Sequence, residues 1–285
     1  MNKKFAELAK KSKVIVIKVG SNILVNEKHS LRKKWLSSLV EDVQKLQRKG
    51  SKIIIVSSGA IALGRKILSK KKLTNLHEKQ AAASIGQIQL SQEWQKAFAK
   101  CKIQSSQILI TAEDLNERRK YLNIRNTIYS LMDLNVVPII NENDTTSTEE
   151  IRFGDNDKLS AMIANVLSAE LLILLSDVNG LYTSNPKKSA QAKLITSVEE
   201  VNQQIEKYID KDLSEFGSGG MLAKVNAAKL CIQSGSTMII SNGLVNSPLG
   251  NIHPKSSTWF LPSKNILTSR QQWIWNRPIQ KAILH

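Results

Sequence analysis

The sequence predicts an α/β fold: an open, mainly parallel central sheet covered by helices on both faces. Runs such as VIVIKV and LLILLSD are apolar at consecutive rather than alternate positions, as strands buried on both faces are. Between such runs lie longer stretches whose apolar residues recur at helical spacing. The apolar runs end in turns rich in Gly, Ser, Asn and Asp, and open α/β sheets bind ligands beyond the carboxyl ends of their strands.

VIVIKV (14–19) predicts the first strand, with Lys18 as its one charge. An ammonium group buried in a strand is expensive unless a negative group meets it, so Lys18 demands a partner. Residues 31–49 predict a helix on which Trp35, Leu36, Leu39, Val40, Val43 and Leu46 form one stripe, closed by Gly50 as C-terminal cap. KIIIVSSGAIALG (52–64) predicts a second strand that passes through a small-residue turn into a helix, whose backbone N–H groups suit a carboxylate or phosphate. Further strands are expected at SSQILI (105–110), VVPII (136–140), LLILLSD (171–177) and TMIIS (237–241). Helices are expected over 81–99, 115–134, 157–169 and 222–234. One domain over 1–262 is expected, followed by a tail over 263–285.

Composition narrows the function classes. The chain has 285 residues, 41% hydrophobic and 23% charged, enough for a substantial core. No apolar run approaches the roughly 20 residues of a membrane-spanning helix, and the basic start lacks the apolar stretch of a secretory signal. A cytoplasmic protein is expected, with no membrane partner. Two cysteines and four histidines, all scattered, give neither a disulfide framework nor metal-ligand spacing. Lys and Arg number 41 against 24 Asp and Glu, for a net charge of +17. The lysines are dispersed rather than interleaved with aromatics, which points to a solvated surface and an anionic substrate rather than a specific nucleic acid.

Two later turns carry the densest chemistry. In INENDTTSTEEIRFGDNDKLSAMIA (140–164), Asn141, Glu142, Asn143 and Asp144 follow a strand directly, and Asp155, Asn156 and Asp157 precede a helix. Asp155 or Asn156 is expected to cap that helix; the rest of the cluster suits a cationic amine, or a lysine such as Lys18. In FGSGGMLAK (216–224), three glycines lead into a helix carrying Lys224, an arrangement suited to nucleotide phosphates. It lacks the Ser or Thr that follows the lysine of a P-loop, and no GxGxxG follows the first strand.

Taken in order, IKVGSNIL, IIIVSSGAIALG, QAAASIGQIQL, VVPIINEND, FGDNDKLSA, LLILLSDVNGLYTSNP and GSGGMLAKVNAA resemble the amino acid kinase family, from about residue 13 to 260. Within it, SSGAIALG, NEND, GDND and GSGGM resemble the branch that phosphorylates L-glutamate on its γ-carboxylate, the first step of proline biosynthesis. The resemblance implies a three-layer αβα sandwich and transfer of the γ-phosphoryl group of ATP, carried with Mg2+, to a carboxylate. It implies Lys18, Lys224, Asp157 and Asp155 as catalytic residues, with Lys18 stabilising the transferring phosphoryl group and Asp157 orienting both lysines, and Ser58, Gly59, Asp144 and Asn156 as glutamate-binding residues. It also implies an ATP site made of Lys18, Ser176, Asp177, Ser218, Gly219, Gly220, Met221, Leu222, Ala223 and Lys224, with no confident metal ligand from the protein. Asp144 is expected to meet the α-ammonium group, and a homo-oligomer inhibited by proline is expected.

Some residues depart from the family pattern. Ser21 and Asn22 stand for Thr and Ser, Asn179 and Asn185 for acids, and Ala223 for a Thr beside Lys224. Many members of this branch carry a C-terminal RNA-binding PUA domain, for which the residues after Trp259 are too few. The alternatives are another carboxylate or carbamate kinase of this fold, or a non-catalytic derivative that senses an amino acid or binds RNA.

Overall fold

The computed structural model describes residues 1–70, 72–146, 156–186, 188–210 and 220–262. Its elements begin with α1 (Lys3–Lys11), β1 (Val14–Val19), α2 (Ser21–Leu24), α3 (Lys33–Gln47) and β2 (Lys52–Ser57). Next come α4 (Ala60–Ile67), α5 (Leu76–Lys100), β3 (Ser105–Ile110), α6 (Arg118–Asp133), β4 (Val137–Glu142) and α7 (Asn156–Val166). The last are β5 (Leu171–Ser176), β6 (Ser197–Val198), α8 (Gln203–Asp210), α9 (Met221–Gln233), β7 (Thr237–Asn242) and β8 (Ser257–Phe260).

The strands form one sheet in the order β3-β4-β2-β1-β5-β7-β8-β6. The core strands are parallel; among the described residues only the β7–β8 pair of strands is antiparallel. Alternate residues of β1 go to opposite faces, as the period of two requires. Ile15, Ile17 and Val19 join the core layer that contains α3 and α5, whereas Val16 joins the layer that contains α7 and α9. Lys18 shares the side of Val16. It stands level with Val56 and Leu174, and the row continues to Ile140 and Ile240. Those four aliphatic neighbours are all 0% exposed. Lys18 therefore fills a core position near the carboxyl end of the sheet.

Local chemistry explains the boundaries. Gly50 ends the α3 turn at φ +94 and donates its N–H to Gln47 O at 2.9 Å. Helix α5 starts a turn earlier than periodicity alone indicates, at Leu76. Asn75 accepts from Glu78 N at 2.9 Å, which caps one first-turn donor, and the Glu78 carboxylate reaches back to Thr74 N at 2.7 Å, which ties down the chain entering the helix. Helices α4 and α5 touch backbone to backbone. A Cβ at Gly64 would lie 1.7 Å from Ala82 O, and one at Gly86 would lie 1.9 Å from Ala60 O. Trp94 of α5 then donates to Ser57 Oγ at 2.9 Å, fixing the end of β2 from below.

Candidate active site

Lys18 finds its partner in Asp157, the second residue of α7, with Nζ 2.5 Å from Oδ1. The other carboxylate oxygen meets Lys224 Nζ of α9 at 3.1 Å. All three are buried, at 8%, 2% and 7% exposure for Lys18, Asp157 and Lys224. Burial by itself would raise the Asp157 carboxyl; the ammonium groups of Lys18 and Lys224 more than offset it and hold the group below the ordinary aspartate value. Its place in the first turn of α7 adds the favourable end of the helix dipole. One fixed carboxylate thus aims two cations at the mouth of the sheet. The cluster after β4 does not hold Lys18.

Beside this triad lies a web of amides. Asn156 Nδ2 donates to Ser58 Oγ at 2.7 Å and to Asn141 Oδ1 at 3.0 Å. Asn141 in turn donates to Gln87 Oε1 at 2.8 Å. Asn156 therefore does not cap α7 with its side chain: its amide spans from α7 to the β2 and β4 ends, and its buried Oδ1 has no partner among the described residues. Asp155, the other candidate cap, lies outside the described residues. Gly59 takes φ +114 at the start of α4, a conformation open to glycine, and no side chain caps the first N–H groups of that helix. Asp144, two residues beyond β4, is buried without an ion-pair partner among the described residues, and burial pushes its carboxyl up to about 6.

Across β1 lies the other half. Asp177, just past β5, accepts from Ser176 Oγ at 3.2 Å and from Asn22 Nδ2 at 3.4 Å. Asn242 at the end of β7 donates to Asn179 Oδ1 at 3.1 Å, and Asn179 Nδ2 lies 3.2 Å from Tyr182 OH. The amide at position 179 thus knits this loop together. Gly220 precedes α9, whose first turn carries Met221, Leu222, Ala223 and Lys224. Ser218 and Gly219 lie outside the described residues. Strand order separates the two halves: Ser58, Asn156 and Asp144 gather at the β2 and β4 ends, Asp177 and Asn242 at the β5 and β7 ends, with Lys18 of β1 between them.

Three contributors were not singled out from sequence: Gln87, Asn141 as a bonded hub, and Trp94. Gln87 and Asn141 lie inside QAAASIGQIQL and NEND, but nothing in their spacing announces that they meet. Among the described residues no group of three or more His, Cys, Asp or Glu is gathered to hold a metal ion. Among the described residues no helix is long and apolar enough to cross a membrane.

Comparison with known proteins adds to this geometry. The model of the amino acid kinase family matches residues 13–242. A glutamate 5-kinase of Pelagibacter ubique is 49% identical over 277 residues, which cover 96% of this chain and 75% of that protein. A glutamate 5-kinase of Paramagnetospirillum magneticum is 43% identical over 266 residues, covering 93% and 72%. Among solved structures, a carbamate kinase from Giardia lamblia bound to AMP-PNP superposes with a TM-score of 0.61 at 17% identity, covering 89% of this chain and 100% of that one, a likeness of fold.

Proposed function

Because the chain belongs to the amino acid kinase family, we propose that it works as a glutamate 5-kinase, moving the γ-phosphoryl group of ATP to the γ-carboxylate of L-glutamate. The product is an acyl phosphate, L-glutamyl 5-phosphate, which begins proline biosynthesis. The carrying observation is Asp157 held between Lys18 and Lys224, between an amide-and-carboxylate pocket and a nucleotide half.

The chemistry follows from charge. A glutamate side chain ionises near pH 4.3, so the nucleophile needs no general base at neutral pH. The obstacle is repulsion between a carboxylate and a triphosphate brought into line. Lys18 and Lys224 supply positive charge along that path, and it matters most as the phosphoryl group passes between the oxygens. Asp157 fixes both ammonium groups beforehand, so no reorganisation is needed during transfer. Mg2+ bound to the phosphates supplies further neutralisation.

On the acceptor side, Ser58 Oγ and the first N–H groups of α4 suit the γ-carboxylate. The Asp144 carboxylate and the open Oδ1 of Asn156 are acceptors matched to an α-ammonium group. Proline presents an ammonium and carboxylate of the same kind, which supports feedback inhibition at this pocket. The sheet edge at β3, where Leu109 is exposed, supports association into a homo-oligomer.

The test is to incubate the protein with MgATP, L-glutamate and hydroxylamine. Formation of glutamyl hydroxamate is expected, with little from L-aspartate or carbamate. Hydroxamate from aspartate but not glutamate would move the chain to another member of the family, and ATP binding without any acyl phosphate would make it a non-catalytic derivative.

A further inference from the structure

Helix α3 lies on the face of the sheet away from the Lys18–Asp157–Lys224 triad, yet one side of it carries three polar groups, two buried and Ser38 half-buried. Trp35, Ser38 and Asp42 are spaced three and four apart, on one side of the helix. Each reaches the segment that follows β7. Trp35 Nε1 donates to Gly243 O at 2.6 Å. Ser38 Oγ accepts from Ser247 N at 2.9 Å. Asp42, 0% exposed, accepts from Leu249 N at 3.2 Å and Gly250 N at 3.0 Å. Its other oxygen meets Lys45 Nζ at 3.0 Å, so the buried charge is partnered from its own helix and Oδ2 is left to hold the two backbone amides.

Gly243 is the point where this hold reaches the site. Its N–H donates to Ser176 O at 2.7 Å, while its carbonyl receives Trp35. A Cβ there would lie 2.9 Å from Leu175 Cβ, so the backbone is pressed against β5. The adjacent Asn242 carries the bond to Asn179, and Asn179 the contact to Tyr182. A continuous path runs from α3 through Gly243 and Asn242 into the loop after β5.

We propose that Trp35, Ser38 and Asp42 are positioning residues for nucleotide binding: from the far face of the sheet they set the β7 exit and, through Asn242, the 176–182 loop. This rests on the reading of the β5 and β7 ends as the ATP half. None of the three touches the acceptor pocket, whose Ser58, Asn141 and Asn156 are tied instead to α5 through Gln87 and to α7.

The experiment compares Trp35→Phe and Ser38→Ala with the wild type and with Lys33→Ala, which removes only a surface ion pair of the same helix to Glu93. ATP affinity by equilibrium dialysis, both KM values and the melting temperature are measured. Each clamp variant is expected to weaken ATP binding and raise its KM about 3- to 10-fold, the size of one lost hydrogen bond. The glutamate KM is expected to stay within about twofold, and Lys33→Ala to change neither. Folded variants with unchanged ATP affinity, or with both KM values raised by the same factor, would overturn the proposal. A wild type that binds ATP but forms no acyl phosphate from glutamate overturns the functional reading alone, and dialysis still decides the clamp. A wild type that binds no ATP overturns both.

Discussion

Burial makes the Asp144 carboxyl harder to ionise than an ordinary aspartate. Its carboxyl sits at about 6 against an ordinary 3.8, so the native state holds this proton more tightly than the unfolded chain does. The ionised group therefore destabilises the fold fully above about pH 6 and not at all below about pH 4, by about 3 kcal/mol at most. Asp144→Asn is expected to raise the melting temperature of the unliganded protein at pH 8 but not at pH 4. The same change is expected to raise the glutamate KM about 30-fold or more, because an amide cannot neutralise an ammonium group. Scanning calorimetry at both pH values and the two KM values check this; a lower melting temperature at pH 8 would show that Asp144 is structural. Lys224→Ala is expected to act differently, lowering kcat about 10²- to 10³-fold as a transition-state contact does; unchanged turnover would remove it from the path of transfer. That Lys18 requires an anion was legible from six residues of strand. Which anion answers was not legible from the residues alone, since NEND and GDND both offered one; the family resemblance implied Asp157, and in the structure its Oδ1 lies 2.5 Å from Lys18 Nζ. Asn156 was expected as a candidate cap, and its bonds to Ser58 and Asn141 depend on three separate elements converging.

Pattern carried the central elements because both faces of β1, β2, β4, β5 and β7 are covered, leaving runs that only a buried strand explains. It failed where the signal is short or nonlocal. β6 has two residues, and β8 reads STWF and is set by antiparallel pairing with β7. α1 buries only Phe5 and Ala9 among lysines, so its basic start concealed a helix. Contact between α4 and α5 was equally hidden, since Gly64 and Gly86 are ordinary glycines until the helices are laid together. Gly86→Ala is expected to force α4 outward, because the new methyl would meet Ala60 O at 1.9 Å and a backbone oxygen cannot turn aside. Ser58 and Gly59 immediately precede α4, so the glutamate KM should rise while the ATP KM changes little, with about 1–3 kcal/mol of stability lost to overpacking. Gly50→Ala serves as the comparison: nothing lies within 4 Å, but φ is +94, so it should lose about 1 kcal/mol and leave both KM values unchanged.

At the scale of the molecule, the excess of 41 basic over 24 acidic residues creates a field that both anionic substrates feel. The ATP KM is expected to climb as ionic strength rises from about 0.05 to 0.3 M, more steeply than that of glutamate, because more charge is screened. RNA of any sequence should bind at low salt and be released at physiological salt; sequence-selective binding that survives would mean a dedicated surface. The strand order carries a different consequence. β1 to β4, with Ser58, Asp144 and α7, are complete by Val166, and the strands of the nucleotide half begin at Leu171. The acceptor pocket is thus written in the first stretch and the β5 and β7 ends in the second, meeting at the turn between α7 and β5, with Trp35, Ser38 and Asp42 of α3 reaching from the first stretch to the second. A single crossover at that turn would pair one ancestor's amino acid pocket with another's nucleotide grip, keeping Lys18 and Asp157 from the first and Lys224 from the second. Such an exchange would change the acceptor and keep the grip on ATP only where the incoming α3 still meets Gly243 and Gly250 across the joint.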